Sequence, residues 1–561
     1  MRTPKSRSHG SFLTLLFLAA IMTGCSHSNQ SATLVIHGPR VWTGDADNRW
    51  AEAVAARDGR IVFVGDWSGA QKYVGPETQV LHRTEGLITP GFTDCHVHLL
   101  SGGESLAAVQ LRDASSKDEF VKRIAIFART HPKGEWIVAG DWDHTLWGGE
   151  LPTRQWIDSV TPDHPVFVSR LDGHMCLANS NALRLAGVDS KTADVEGGAI
   201  VRDADGHPTG ILKDNAIGLV SEVMPRASDE VEDRVLEAAM ADLASVGVTA
   251  VHDMGSGGYD DLETYQRAAA AGRLKTRIYS MQPLRSWKKL AERVERDGTG
   301  DEWLRIGGLK GFADGSLGSH TAHFHEDYDD KPNAHGLQVT PPSELRADIL
   351  GAESKGLHVM VHAIGDRAIS DLLDIYAAVN QDAATRDRRH RIEHAQHIRP
   401  SDIERFSKLG VIASMQPNHL TDDGRWAAPL IGDQRCDTTY AFRDLINSGA
   451  EVVFGSDWPV ASASPLLAID AAVTRRTSDG KNPDGWIPRQ KITVEEALRA
   501  FTTKAALASF DEGNRGCLKV GMLADFVLIS HDIFRIPPAS IRDSHVLLTV
   551  VDGQIVFSAD N

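Results

Sequence analysis

Apolar residues in this chain follow two rhythms. Near both ends, TLVIHGPRVWTG, EAVAARDGRIVFVGD, GMLADFVLISHDI and HVLLTVVDGQIVFS alternate apolar and polar positions between Gly and Asp turns, which reads as short hairpin strands. Residues 32–88 and 518–560 are therefore expected to pair into one small β-domain built from both termini. Between them, apolar runs alternate with stretches of helical period. The run carrying TDCHVHLL is followed by VGVTAVHD, TRIYSMQP, IGGLKGFADG, GLHVMVHAIGD, HRIEHAQ, GVIASMQPNH and EVVFGSDWP. Eight strand-helix units predict an α/β fold, a (β/α)8 TIM-like barrel over residues 89–517, with chemistry at the C-terminal strand ends.

The spacing breaks once. About 150 residues separate His98 from Val248, several times a normal strand-helix unit, and they hold Trp136, Trp142, Trp147 and Trp156 among Gly and Pro turns. This predicts a subdomain inserted after the first barrel strand, at about 100–245, lying over the barrel mouth.

The N-terminus has a different pattern. Arg2, Lys5 and Arg7 precede an apolar run from Phe12 to Met22, the length of a secretory h-region and too short to span a bilayer. Residues 1–24 read as an export signal and 25–31 as a polar tether. The sequence Ile21-Met22-Thr23-Gly24-Cys25 resembles a bacterial lipoprotein signal in which Cys25 is lipidated, giving a membrane anchor in the cell or outer membrane. Plain cleavage and release to the periplasm is the alternative reading.

Removing residues 1–24 takes away three basic residues and no acid, which moves the formal charge from −17 to −20. Such an acidic chain lacks the basic stripe that nucleic-acid binding needs. Cys95, Cys176, Cys436 and Cys517 show no Cys-x-x-Cys spacing, so neither a structural zinc site nor a disulfide scaffold is indicated.

Candidate chemistry begins with His96 and His98. On a strand, residues two apart share a face, so both imidazoles can grip one metal ion while Cys95 and Val97 point away. A lone His-x-His also arises by chance. Lys310, His362, His394 and Asp457 each fall on or at the end of a separate expected strand, and imidazoles with a carboxylate form the ligand set of a hydrolytic divalent site. Singly, each has an ordinary reading: a core histidine, a helix cap, an edge charge. Together, in this order on successive strands, they point to a metal centre.

These segments, PGFTDCHVH, KGFADGSLGS, VHAIGD, EHAQ and GSDWP, resemble the amidohydrolase superfamily, in particular the amidohydrolase family 3 branch that includes N-substituted formamide deformylases. DHPVFVSRLDGHMCLANSNAL and GHPTGIL in the insertion resemble that branch as well. The resemblance implies His96 and His98 on one ion, His362 and His394 on a second, and Lys310 bridging as a carbamate if the centre is binuclear. With one ion, Lys310 instead serves as a charge or substrate contact. Zinc is the expected metal. A bound divalent ion lowers the pKa of its water towards ~7 and polarises a carbonyl, with Asp457 as a further metal ligand and the general base. Asp94 is a candidate for orienting a ligand histidine, and Asp366 for capping the helix after His362. His174 is a candidate substrate contact, and Trp142, with Trp147, Trp426 and Trp458, a candidate lining of the mouth.

The expected function is hydrolysis of a small-molecule amide, an N-substituted formamide or N-acyl amine, by an exported enzyme. The alternatives are a cyclic amide or ester substrate, or a surface-anchored binding or regulatory lipoprotein without turnover. Homo-oligomerisation is left open.

Overall fold

A computed structural model describes residues 31–255, 259–382 and 387–559. Cys25 and the signal segment lie outside the described residues.

The eight expected runs form eight parallel strands: β1 (Phe92–Val97), β2 (Val248–Asp253), β3 (Arg277–Pro283), β4 (Leu304–Phe312), β5 (His358–Ala363), β6 (Arg391–His394), β7 (Ile412–Met415) and β8 (Val452–Phe454). Each pairs with the next, from β1 to β8 in chain order. Most residues of these strands are buried, as expected where helices cover one face and the barrel interior fills the other. The ring closes just beyond β8. There Asp457 N–H donates to His96 O at 2.6 Å and His98 N–H to Trp458 O at 2.9 Å.

The small β-domain joins both ends of the chain. Leu87–Pro90 pairs antiparallel with Phe526–Ile529, and the sheet continues outward to Arg60–Gly65 on one side and Gln554–Ser558 on the other. Two of its hairpins turn at Asp58-Gly59 and Asp552-Gly553, all four with positive φ, as a two-residue turn matching strand twist requires. A buried ion pair ties this domain to the barrel: Arg277 on β3 donates to both carboxylate oxygens of Asp525, at 2.7 and 3.0 Å.

The insertion after β1 builds its own five-stranded sheet, with Ile137–Trp142 at one edge and Gly198–Arg202 at the other, backed by the helix Lys117–Thr130. It rests on the barrel loops. Lys213 Nζ donates to Ser319 O at 2.7 Å, Asn215 Nδ2 to Val339 O at 3.1 Å, and Arg425 Nη2 reaches Asp143 Oδ2 at 3.5 Å.

Trp142 does not line the mouth. Its side chain is fully buried within the insertion, edge-on to Phe120, and its indole N–H donates to Val168 O at 2.9 Å. The large indole fills the core between this sheet and the helix Lys117–Thr130, and its polar atom is satisfied there. Trp142→Ala should therefore cost about 3–5 kcal/mol of stability, read as a lower urea midpoint. A change in KM with native stability would contradict this placement.

Candidate active site

The C-terminal ends of the strands gather the sequence candidates into one buried group. His96 Nε2 and His98 Nε2 each lie 3.3 Å from Asp457 Oδ1. The His96 ring stands 4.9 Å from that of His394, which stands 4.5 Å from that of His362. Lys310 Nζ is 3.2 Å from His96 Nε2. His419, in the QPNH segment after β7, completes the group: its Nε2 is 3.9 Å from Asp457 Oδ2, and with His394 and Asp457 it forms a second set of convergent donors.

The backbone here is bent to aim these side chains. His394 and Asp457 both have positive φ, 68° and 60°, a conformation L-residues adopt at a cost, and it turns each side chain across the mouth where a regular strand end would not. Asp94 fastens the first strand to the last. Its Oδ1 accepts the amides of His96 at 3.1 Å and Ser456 at 2.9 Å. Next to it, a Cβ on Gly455 would fall 2.5 Å from His96 N, so only glycine allows this approach. The expectation that Asp94 orients a ligand imidazole is thus corrected: it holds backbone.

Glu393 holds the ring instead. His96 Nδ1 lies 2.6 Å from Glu393 Oε2, and the same carboxylate pairs with Arg391 at 2.7 Å; all three side chains are fully buried. Arg391 further donates to Cys95 O, to Ser414 Oγ and to His252 Nδ1, tying β6 to β1, β7 and β2 through the barrel interior. Burial, reinforced by the Lys310 charge, drives the His96 imidazole well below its ordinary pKa, so it is neutral. Its Nδ1–H donates to Glu393, and Nε2 keeps its lone pair.

The other imidazoles follow the same logic. His98 Nδ1–H donates to Gly255 O at 2.8 Å, freeing Nε2 towards Asp457. Burial also pushes His362 and His394 far down. His362 Nε2–H donates to Gly315 O at 3.0 Å, which leaves Nδ1 as its lone pair. His394 Nδ1 and His419 Nε2 are buried with no hydrogen-bond partner among the described residues. Burial alone would raise the Asp457 carboxyl, yet the surrounding imidazoles, His96 first, hold it below the ordinary carboxylate range. Burial lowers Lys310 to about 8.

Imidazoles with one nitrogen fixed and the other aimed at an ionised carboxylate are a donor set for a divalent cation, and an ion is what the orphaned buried nitrogens lack. A cleft opens over them, lined by His394, His419 and Asp457 below and by Arg170, Asp172 and His174 of the insertion above. His174 Nδ1 lies 2.7 Å from Asp214 Oδ1 and its ring 4.8 Å from that of His362. Burial lowers the His174 pKa, but the Asp214 carboxylate outweighs it and leaves the ring more basic than usual. Of the tryptophans, Trp426 lines the cleft, while Trp147 stays against Phe120 in the insertion.

Asp366 caps less than expected. Its Oδ1 accepts the amide of His325, while Asp314 accepts those of Ile364 and Gly365 at the start of that helix. Two features went unread in the sequence, and both left a trace. Arg391 and Glu393 stand two apart on one face of an otherwise apolar strand, the signature of a buried ion pair. His419 follows its strand as His98 follows β1.

The comparisons with known proteins agree with this architecture. The profile of the amidohydrolase family matches residues 84–557. Protein LONG AFTER FAR-RED 3 of Arabidopsis thaliana is 39% identical over 537 residues, covering 94% of this chain and 92% of its own length. N-substituted formamide deformylase of Arthrobacter pascens is 29% identical, covering 94% and 99%. The crystal structure of an uncharacterized metal-dependent hydrolase from Pyrococcus horikoshii superposes with a TM-score of 0.74 at 28% identity, over 90% of this chain and 99% of that one. With the family profile spanning most of the chain, from the β-domain through the whole barrel, this protein belongs to the amidohydrolase family.

Proposed function

We propose that this chain is a metal-dependent hydrolase of amide C–N bonds whose substrate is an N-substituted formamide or a related N-acyl amine. The observation that carries the reading is the convergence of the His96 and His98 imidazoles on the Asp457 carboxylate at 3.3 Å each, beneath a cleft lined by Asp172, His174 and Trp426. The kinship with an N-substituted formamide deformylase supports the substrate class.

His96, His98, His394 and Asp457 would hold one divalent ion, zinc by its taste for imidazole and carboxylate. His362 and His419 extend the set towards a second. Such an ion supplies a Lewis acid for the carbonyl and lowers the pKa of bound water towards ~7. Burial makes Lys310 less basic than usual, so a larger fraction of its amine is uncharged and able to add carbon dioxide; as a carbamate it would serve as a further ligand. Unmodified, its ammonium has only donors and cannot ligate.

Asp457, kept ionised by its imidazole neighbours, takes the proton of the attacking water and returns it to the leaving nitrogen, which cannot depart as an amide anion. Asp94 and Glu393 hold β8 and the His96 ring so that this carboxylate meets the reacting atoms. His174 donates from above through the nitrogen that Asp214 does not occupy, towards the substrate oxygen. A panel of N-substituted formamides, longer N-acyl amines, cyclic amides and esters tests the assignment. Formamides or N-acyl amines should show the highest kcat/KM, and a preference for esters or cyclic amides would overturn it.

Export and anchoring through Cys25 belong to the same proposal. The apolar run before Cys25 and the polar tether after it suit a lipid-modified N-terminus. Cys25→Ser should then stall processing or release the protein from the membrane fraction. A Cys25→Ser protein that is processed and fractionates like the native one would contradict it.

A further inference from the structure

Four carboxylates line the cleft, and three of them already have cationic or imidazole partners. Asp172 pairs with Arg170 at 2.6 Å, Asp422 with Arg425 at 3.4 Å, and Asp457 with His96 and His98. Asp423 differs. Its Oδ2 accepts from two neutral donors, Gln396 Nε2 at 2.7 Å and Tyr440 OH at 2.6 Å, and it has no ion pair among the described residues.

Those two bonds fix the carboxyl rigidly. They leave Oδ1 with no hydrogen-bond partner among the described residues, on a half-buried residue that lines the cleft. One turn further along the same segment stands the half-buried indole of Trp426, whose amide donates to Asp423 O at 3.0 Å and whose side chain lines the same cleft. A carboxylate held by neutral donors and paired with no cation, with an aromatic residue lining the same cleft, is suited to receive an ammonium group.

We propose that Asp423, with Trp426, selects substrates whose amine portion carries a second, positively charged amino group, so that the natural substrate is a mono-acylated diamine or a similar amino-bearing amide. The inference rests on the hydrolase reading only for placing the scissile amide at Asp457. The charge of Arg170, the arginine that lines the cleft, is matched by Asp172 at 2.6 Å and Asp143 at 3.6 Å, whereas Asp423 has no such partner among the described residues. Burial, opposed by the Tyr440 hydrogen bond, raises the Asp423 carboxyl to about 7, a desolvation cost that an arriving ammonium would relieve.

The test is direct binding to the metal-loaded protein, by calorimetry, of two formamides of equal length: monoformylated diaminobutane and N-pentylformamide. The wild type should bind the ammonium-bearing ligand roughly 10- to 100-fold more tightly. In Asp423→Asn, which can still accept from Gln396 and Tyr440, the ratio of the two Kd values should fall to about 1, with a thermal melt confirming the fold. Equal or weaker binding of the charged ligand by the wild type overturns the proposal without any variant, as does a preference that survives in Asp423→Asn. Turnover of the same ligands, measured separately, bears on the hydrolase reading alone: tight selective binding without hydrolysis would sink that reading and leave the ammonium site standing.

Discussion

Asp457→Asn should keep most of its metal and lose roughly 10²–10⁴-fold in kcat, the usual contribution of a positioned general base. Asparagine preserves the shape and one coordinating oxygen. It cannot take a proton from water or return it to nitrogen. Its backbone amide still donates to His96 O, so the seam between β1 and β8 stays closed. His96→Ala should behave differently and lose metal and turnover together, because its Nε2 is one of the two nitrogens aimed at Asp457 Oδ1. Measuring kcat and metal content on both variants separates the roles. Near-native turnover in Asp457→Asn would remove the base from the mechanism.

Glu393→Gln should be the most damaging single change away from the reacting atoms. The side chain is fully buried, and its charge is shared between the His96 imidazole at 2.6 Å and the Arg391 guanidinium at 2.7 Å. Removing that charge strands Arg391 in the barrel interior, a loss of about 3–5 kcal/mol. It also frees the His96 ring to take the wrong tautomer, which typically weakens metal binding 10- to 100-fold. Urea denaturation of the apo protein reads the first effect and metal titration the second. Unchanged values in both would mean that Glu393 neither balances Arg391 nor orients His96.

How far the sequence could be read depends on the range of the physics. The eight barrel strands were legible because a strand buried on both faces is mostly apolar: β8 is so throughout, β2 apart from Thr249, His252 and Asp253, and β5 apart from His358 and His362. The two Asp-Gly hairpins were legible because few other residue pairs accept positive φ at both turn positions. The insertion announced itself by length alone. Trp142 was misplaced because an indole looks the same at a mouth and in a core, and only the partner of its N–H, Val168 O, decides. Asp94 was misread for a related reason. Its spacing puts it on the face of His96, but the amides it accepts come from His96 itself and from Ser456, some 360 residues away in the chain. Positions such as His394 and Asp457, whose positive φ swings a side chain across the barrel, obey no strand periodicity, so their convergence had to come from the fold.

The two donor sets that share Asp457, one with His96 and His98 and the other with His394 and His419, work only with a divalent ion in place. The most direct measurement is turnover of an N-substituted formamide by the protein as purified, after chelation, and after readdition of zinc, with metal per chain determined at each stage. One or two ions per chain, loss of turnover on chelation and recovery in step with zinc uptake are predicted. Undiminished turnover in protein verified to be free of metal would contradict the account.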